Sequence, residues 1–191
     1  DLDPIETLPN LDYKIVCGNS LIGMPEYAMH DLNVEKQLES LKQQFYDETT
    51  ESKKKQLRTQ INNKIRELLD SAESFAGYKM DFDFKLFFSE VWHEKGGFDV
   101  VIGNPPYVFT RDVDFGDEFK DIIANNYFSI LSKGKRSKAN QAGKINLFAL
   151  FILQGLFLSK KKGVLSFIIP NNILRTTTYD KIRKYIIDNY A

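Results

Sequence analysis

The chain has 191 residues, 26 Lys and Arg against 26 Asp and Glu, and 42% hydrophobic residues, which describes one domain of ordinary globular make-up that buries about 70% of its unfolded surface. Fifteen Phe, nine Tyr and one Trp exclude a low-aromatic disordered chain. The single Cys17 excludes a disulfide scaffold or a cysteine-rich zinc site, and His30 and His93 are too few for a histidine-built metal centre, so no metal is expected.

No secretory signal opens the chain. The longest apolar run, residues 145–158, carries Asn146 and Gln154 and is too short for a membrane span. Both features point to a cytoplasmic protein away from membranes. The chain starts at Asp1 rather than Met, so a piece of a longer polypeptide is expected. Net charge is zero but unevenly spread. From position 125 onward, 12 Lys and Arg stand against Asp180 and Asp188 alone, and the first 124 residues carry the balancing acids. Two explanations fit: a C-terminal surface that faces a polyanion, or lysines that solvate helix faces.

In chain order, Tyr13-Lys14-Ile15-Val16-Cys17 is β-prone and runs into Gly18-Asn19-Ser20, which predicts a short buried strand and a loop, with Cys17 as packing. Gly18 to Gly23 lacks the Gly-Lys-Ser/Thr of a phosphate loop. Val34, Leu38, Leu41 and Phe45 recur at helical steps, and so do Leu57, Ile61, Ile65 and Leu68 after a polar break, which predicts two amphipathic helices joined by a turn. A partner-binding coiled coil and a plain hairpin remain open; an inserted hairpin without chemistry of its own is the preferred reading. The Phe-rich run Phe82, Phe84, Phe87 and Phe88 follows. After Gly96-Gly97, residues 98–102 form a nearly continuous apolar strand, as in a parallel sheet buried on both faces. Residues 110–144 are polar, with a helix expected at 118–125. Residues 145–158 predict a buried helix with Lys160-Lys161-Lys162-Gly163 as its basic end and stop. Residues 164–169 predict a second strand, broken at Pro170, and 179–190 a closing helix. Strand, helix, strand, helix argues for a parallel α/β sheet.

Asn104-Pro105-Pro106-Tyr107 ends the first of these strands on the side where open α/β sheets bind ligands. Asn104 offers a carbonyl acceptor. The prolines have no N–H, so the turn presents carbonyls, notably that of Pro105, without competing donors. Two adjacent acceptors suit a planar amino group, and Tyr107 offers a flat face on which a nucleobase stacks.

The segment 98–107, Phe-Asp-Val-Val-Ile-Gly-Asn-Pro-Pro-Tyr, resembles the catalytic motif of the S-adenosylmethionine-dependent DNA adenine-N6 methyltransferases. Residues 15–21, the long insert, the Phe-rich run, 146–151 and 163–171 are similar, in order, to the methylase part of type IIG restriction-modification enzymes. The resemblance covers most of the chain outside 25–80. It implies an α/β fold, a partial and mainly parallel Rossmann-like methyltransferase sheet with an inserted helical hairpin. It divides the chain into 1–24 (start of the core), 25–80 (insertion) and 81–191 (catalytic core).

It also implies a chemistry. Double-stranded DNA is the partner, S-adenosylmethionine the cofactor, and a flipped adenine stacks on Tyr107 with its N6 amine held by Asn104 and the Pro105 carbonyl. Asn19 would lie at the cofactor's adenine, where the family usually has Asp, and Pro106 and Phe151 would line the cofactor pocket. The acid-free run of Lys133, Lys135, Arg136, Lys138 and Lys144 suits DNA phosphates or forms an irregular loop. The family's glycine-rich loop and ribose-binding acid have no counterpart, since the chain contains no Gly-x-Gly. A partial catalytic domain, inactive alone and self-associating through an open strand edge, is therefore expected. Asp117-Glu118-Phe119-Lys120 contains a nuclease-like Glu-x-Lys but lacks a partner acid and reads as a solvated helix start. The alternatives are methylation of another planar nitrogen, in a protein glutamine or a ribosomal RNA amine, or a catalytically dead DNA-binding remnant.

Overall fold

The computed structural model describes residues 11–23, 32–112, 122, 127 and 145–190. The predicted hairpin is formed by α1 (Leu32–Asp47) and α2 (Glu51–Ala76). Leu38 and Phe45 of α1 are fully buried against Ile61, Ile65 and Leu68 of α2, the residues whose helical spacing marks them in the sequence. The Glu48 carboxylate accepts from the N–H groups of Thr49 and Thr50 at 2.9 and 2.7 Å, closing the turn into α2. At the other end Gly77 takes a left-handed φ of 79° and donates its N–H to the Glu73 carbonyl, a glycine stop for the helix.

Asp83 caps the short helix α3 (Phe84–Phe87) through its side chain, 3.0 Å from the Leu86 N–H. Helix α4 (Ser89–Lys95) follows and ends at Gly96, also left-handed. The Phe-rich run has a structural purpose. Phe84, Phe88 and Trp92 present ring edges to Phe98, the first residue of β1 (Phe98–Gly103). The aromatic cluster thus fixes where the strand begins.

Helix α5 (Leu147–Leu158) and strand β2 (Ser159–Phe167) complete a strand–helix–strand unit, and β1 pairs with β2 in parallel, Val101 opposite Leu165 and Gly103 opposite Phe167. Helix α5 is apolar on all sides except for Gln154 and is buried over most of its length, with Phe148, Leu150 and Leu153 fully enclosed. It lies so close to the sheet that a Cβ on Gly155 would stand 2.6 Å from Leu165 Cδ1. Helix α6 (Asp180–Tyr190) adds Ile182 to the same core. One core therefore surrounds α5 and a second fills the hairpin and α3.

Four expectations are corrected. Residues 13–17 form a turn that opens into irregular chain, not a strand. The Tyr13 ring packs edge-on against Phe45 of the hairpin, and Lys14 and Ile15 donate their N–H groups back to the Leu11 carbonyl. Cys17 is consequently exposed rather than buried. Lys160, Lys161 and Lys162 do not end the helix; α5 stops at Leu158 and the three lysines lie in β2, where the pairing register shifts. The sheet has two strands among the described residues and is not buried on both faces, for Val100 and Ile102 are 58% and 79% exposed. The 118–125 helix lies almost wholly outside the described residues, Ile122 apart. Among the described residues no helix is long and apolar enough to cross a membrane.

Candidate active site

The Asn104-Pro105-Pro106-Tyr107 turn leaves the C-terminal end of β1 and is held from both sides. Before it, the Ile168 N–H donates to the Gly103 carbonyl at 3.1 Å. After it, the Leu147 N–H donates to Val108 at 2.8 Å, and Phe109 bridges to Asn146. Asn146 in turn caps α5, its side chain accepting from the Phe148 N–H. The turn is therefore pinned between the end of β2 and the start of the buried helix. Pro105 is buried, and Asn104, Pro106 and Tyr107 are exposed.

Tyr107 is 46% exposed, so its ring is available to a ligand, while an edge contacts Phe148 at 6.3 Å between centroids. Its hydroxyl lies 2.6 Å from the Ile168 carbonyl oxygen and 3.0 Å from Asn104 Oδ1. Asn104, Pro105 and Pro106 border a cleft of about 410 Å³ that runs along β1 against α5. Phe84, Phe98, Phe151 and Phe167 give it aromatic walls, and Ser20, Asn104 and Gln154 are its polar side chains.

The structure brings Asn104, Pro105, Pro106 and Phe151 together at this cleft, with Tyr107 adjoining. Asn19 is placed differently. Its Oδ1 accepts from the Leu21 N–H at 3.0 Å in a local turn, and its neighbour Ser20 lines the cleft instead. Lys133, Lys135, Arg136, Lys138 and Lys144 lie outside the described residues.

Two polar lining residues escape sequence reasoning, Ser20 and Gln154. The signal for Gln154 is an amide inside an otherwise apolar helix, one turn from Phe151. It is fixed by the buried Tyr127, whose hydroxyl stands 3.1 Å from Gln154 Oε1 and 2.9 Å from the Leu21 carbonyl; burial pushes that phenol's pKa up. The nearest acid on the strand, Asp99, belongs to the opposite end of β1. Lys160 and Lys95 hold it from either side and depress its carboxyl to about 2. It is a tether between β1, β2 and α4. Among the described residues no group of three His, Cys, Asp or Glu side chains converges to hold a metal.

The sequence model of the Eco57I restriction-modification methylase family matches residues 13–191. Over 92 residues the chain is 28% identical to the type II restriction enzyme and methyltransferase RM.Eco57I of Escherichia coli, a match that spans 48% of this chain and 8% of that protein. Over 121 residues it is 31% identical to modification methylase CviBIII of Paramecium bursaria Chlorella virus NC1A, covering 61% of this chain and 25% of that one. No solved structure matches. The chain thus spans a quarter or less of these relatives' length. Because the family match takes in the hairpin, the Phe-rich run, β1 with its turn, α5 and β2 alike, the chain belongs to the Eco57I restriction-modification methylases.

Proposed function

We propose that this chain carries the catalytic turn of a DNA adenine-N6 methyltransferase, within a Rossmann-like methyltransferase sheet, and that S-adenosylmethionine is the methyl donor. The observation that carries the reading is the Asn-Pro-Pro-Tyr turn itself: an asparagine, two prolines without N–H donors and an exposed aromatic ring at the C-terminal end of a parallel strand, beside a cleft with aromatic walls.

The described residues fit the apolar and aromatic part of such a donor. Phe84, Phe98, Pro106 and Phe151 provide flat walls, with Ser20 as a polar partner, and the lining contains no charged side chain. When bound, S-adenosylmethionine supplies an electrophilic methyl group on a sulfonium sulfur. The chain's own residues do the rest. Asn104 and the Pro105 carbonyl each accept one N–H of the exocyclic amine, which pulls that nitrogen out of conjugation with the ring and exposes its lone pair. Tyr107 stacks on the flipped base and holds it in the cleft mouth. Positioning and fixed dipoles supply the rate. The basic run 133–144 serves the phosphates of the duplex.

The test uses radiolabelled S-adenosylmethionine and duplex DNA, with this chain and with a longer parent protein, followed by nucleoside chromatography. Label in N6-methyladenine, lost in Asn104→Ala, supports the proposal. Label in N4-methylcytosine, in ribosomal RNA or in a glutamine-containing peptide, or no transfer by the parent, overturns it.

A further inference from the structure

The proposed chemistry needs Asn104 to turn its carbonyl oxygen toward the incoming amine, yet Asn104 Oδ1 stands 3.0 Å from the Tyr107 hydroxyl, which stands 2.6 Å from the Ile168 carbonyl oxygen. Three oxygens share one proton. At 2.6 Å the hydroxyl must donate to Ile168, because two oxygens that close repel without a proton between them. The same hydroxyl then has only lone pairs left for Asn104. An amide oxygen facing those lone pairs is repelled, whereas an amide nitrogen donates to them. Rotating the Asn104 amide by half a turn exchanges the two groups, which are nearly isosteric, and satisfies all three residues.

We infer that the Tyr107 hydroxyl is a positioning group: it donates to the Ile168 carbonyl, accepts from Asn104 Nδ2, and so leaves Asn104 Oδ1 facing the substrate amine. This deepens the methyl-transfer reading and rests on it. The main chain supplies the anchor. The Ile168 N–H is tied to Gly103 at the end of β1, so its carbonyl is a fixed acceptor. The relay Ile168 C=O, Tyr107 O–H, Asn104 N–H therefore transfers the rigidity of the strand pair to a side chain that is otherwise exposed. The role is separate from the stacking face of Tyr107, which phenylalanine would retain. An amide free to rotate presents nitrogen to the substrate part of the time, and a donor there rejects an amine.

Two measurements on the full chain and on the parent protein decide it. In asparagine-labelled ¹⁵N spectra, with Asn104→Asp to identify the signals, the two Asn104 Nδ2 protons are expected to be well separated. In Tyr107→Phe their separation shrinks to that of a free primary amide and they exchange with water at least about tenfold faster. Spectra of Asn104 unchanged by Tyr107→Phe overturn the inference. In the methylation assay Tyr107→Phe is expected to lower kcat about 10- to 100-fold with KM for duplex DNA within about twofold. An unchanged kcat in a protein whose wild type methylates adenine also overturns it. If the wild type methylates no adenine, the functional reading falls, and the amide spectra alone decide whether the hydroxyl holds Asn104.

Discussion

In the proposed reaction Asn104 and Tyr107 divide the work at the turn, and substitutions are expected to separate their contributions. Asn104→Ala removes an acceptor made useful only as the amine reacts, so methyl transfer is expected to fall at least about 100-fold while duplex binding, measured by fluorescence anisotropy, stays unchanged. Tyr107→Ala removes the stacking face and weakens duplex binding as well. Asp99 gives a residue-scale prediction about stability. Its carboxyl is depressed from 3.8 to about 2, first by Lys160 and then by Lys95. A depressed carboxyl contributes stability that is fully present above its unfolded value and lost as pH falls through the folded one. Urea midpoints of the wild type and Asp99→Asn should therefore differ by a constant amount above about pH 4 and converge toward pH 2. All three groups are partly exposed, so salt is expected to shrink the difference.

At the scale of elements, the hairpin joins the core through Lys42, buried to 3% exposure, whose ammonium donates to the Phe87 carbonyl and lies 3.4 Å from Glu90. Burial pushes its pKa down and Glu90 opposes that. Lys42→Met keeps the stem and orphans a main-chain acceptor, so it is expected to cost about 1–3 kcal/mol in urea unfolding. At Gly155 a Cβ would meet the tip of the Leu165 side chain at 2.6 Å and the Phe167 ring at 3.1 Å; Gly155→Ala should displace Leu165 and narrow the cleft, while alanine's better helix propensity offsets the crowding, so the urea midpoint is expected to change little. Elements whose partners are local were legible in the sequence. The spacing of Leu38, Phe45, Ile61 and Ile65 gives the hairpin, because each helix buries its stripe on the other. The apolar runs of β1 and α5 are equally plain. Residues 13–17 misled because β-propensity reports fitness for a sheet, and Tyr13 finds a better partner in Phe45. Lys160 looked like a helix end because charge near a helix terminus is a common stop, whereas its partner Asp99 lies 61 residues away in sequence. The position of the turn at the end of β1 was legible, but Ser20 and the Ile168 carbonyl come to the cleft and to Tyr107 through tertiary packing that no local pattern encodes.

For the whole molecule, the telling feature is the outer face of the sheet. Val101 and Leu165 point to α5 and the core, so alternation sends Val100, Ile102, Val164 and Ile168 to the opposite side, where each is more than half exposed. A parallel sheet normally has both faces covered, and among the described residues β1 is paired on one edge. We propose that the isolated 191-residue chain self-associates through this face and edge, since apolar area and unpaired backbone groups there have no partner among the described residues. Sedimentation velocity across a hundredfold range of concentration should show a species larger than the monomer, and Ile102→Lys with Val164→Lys should return it to monomer. A wild-type chain that stays monomeric throughout would refute the proposal. Because Ile102 and Val164 point away from the core, the double variant should retain its urea midpoint, which separates a lost contact between copies from a lost fold.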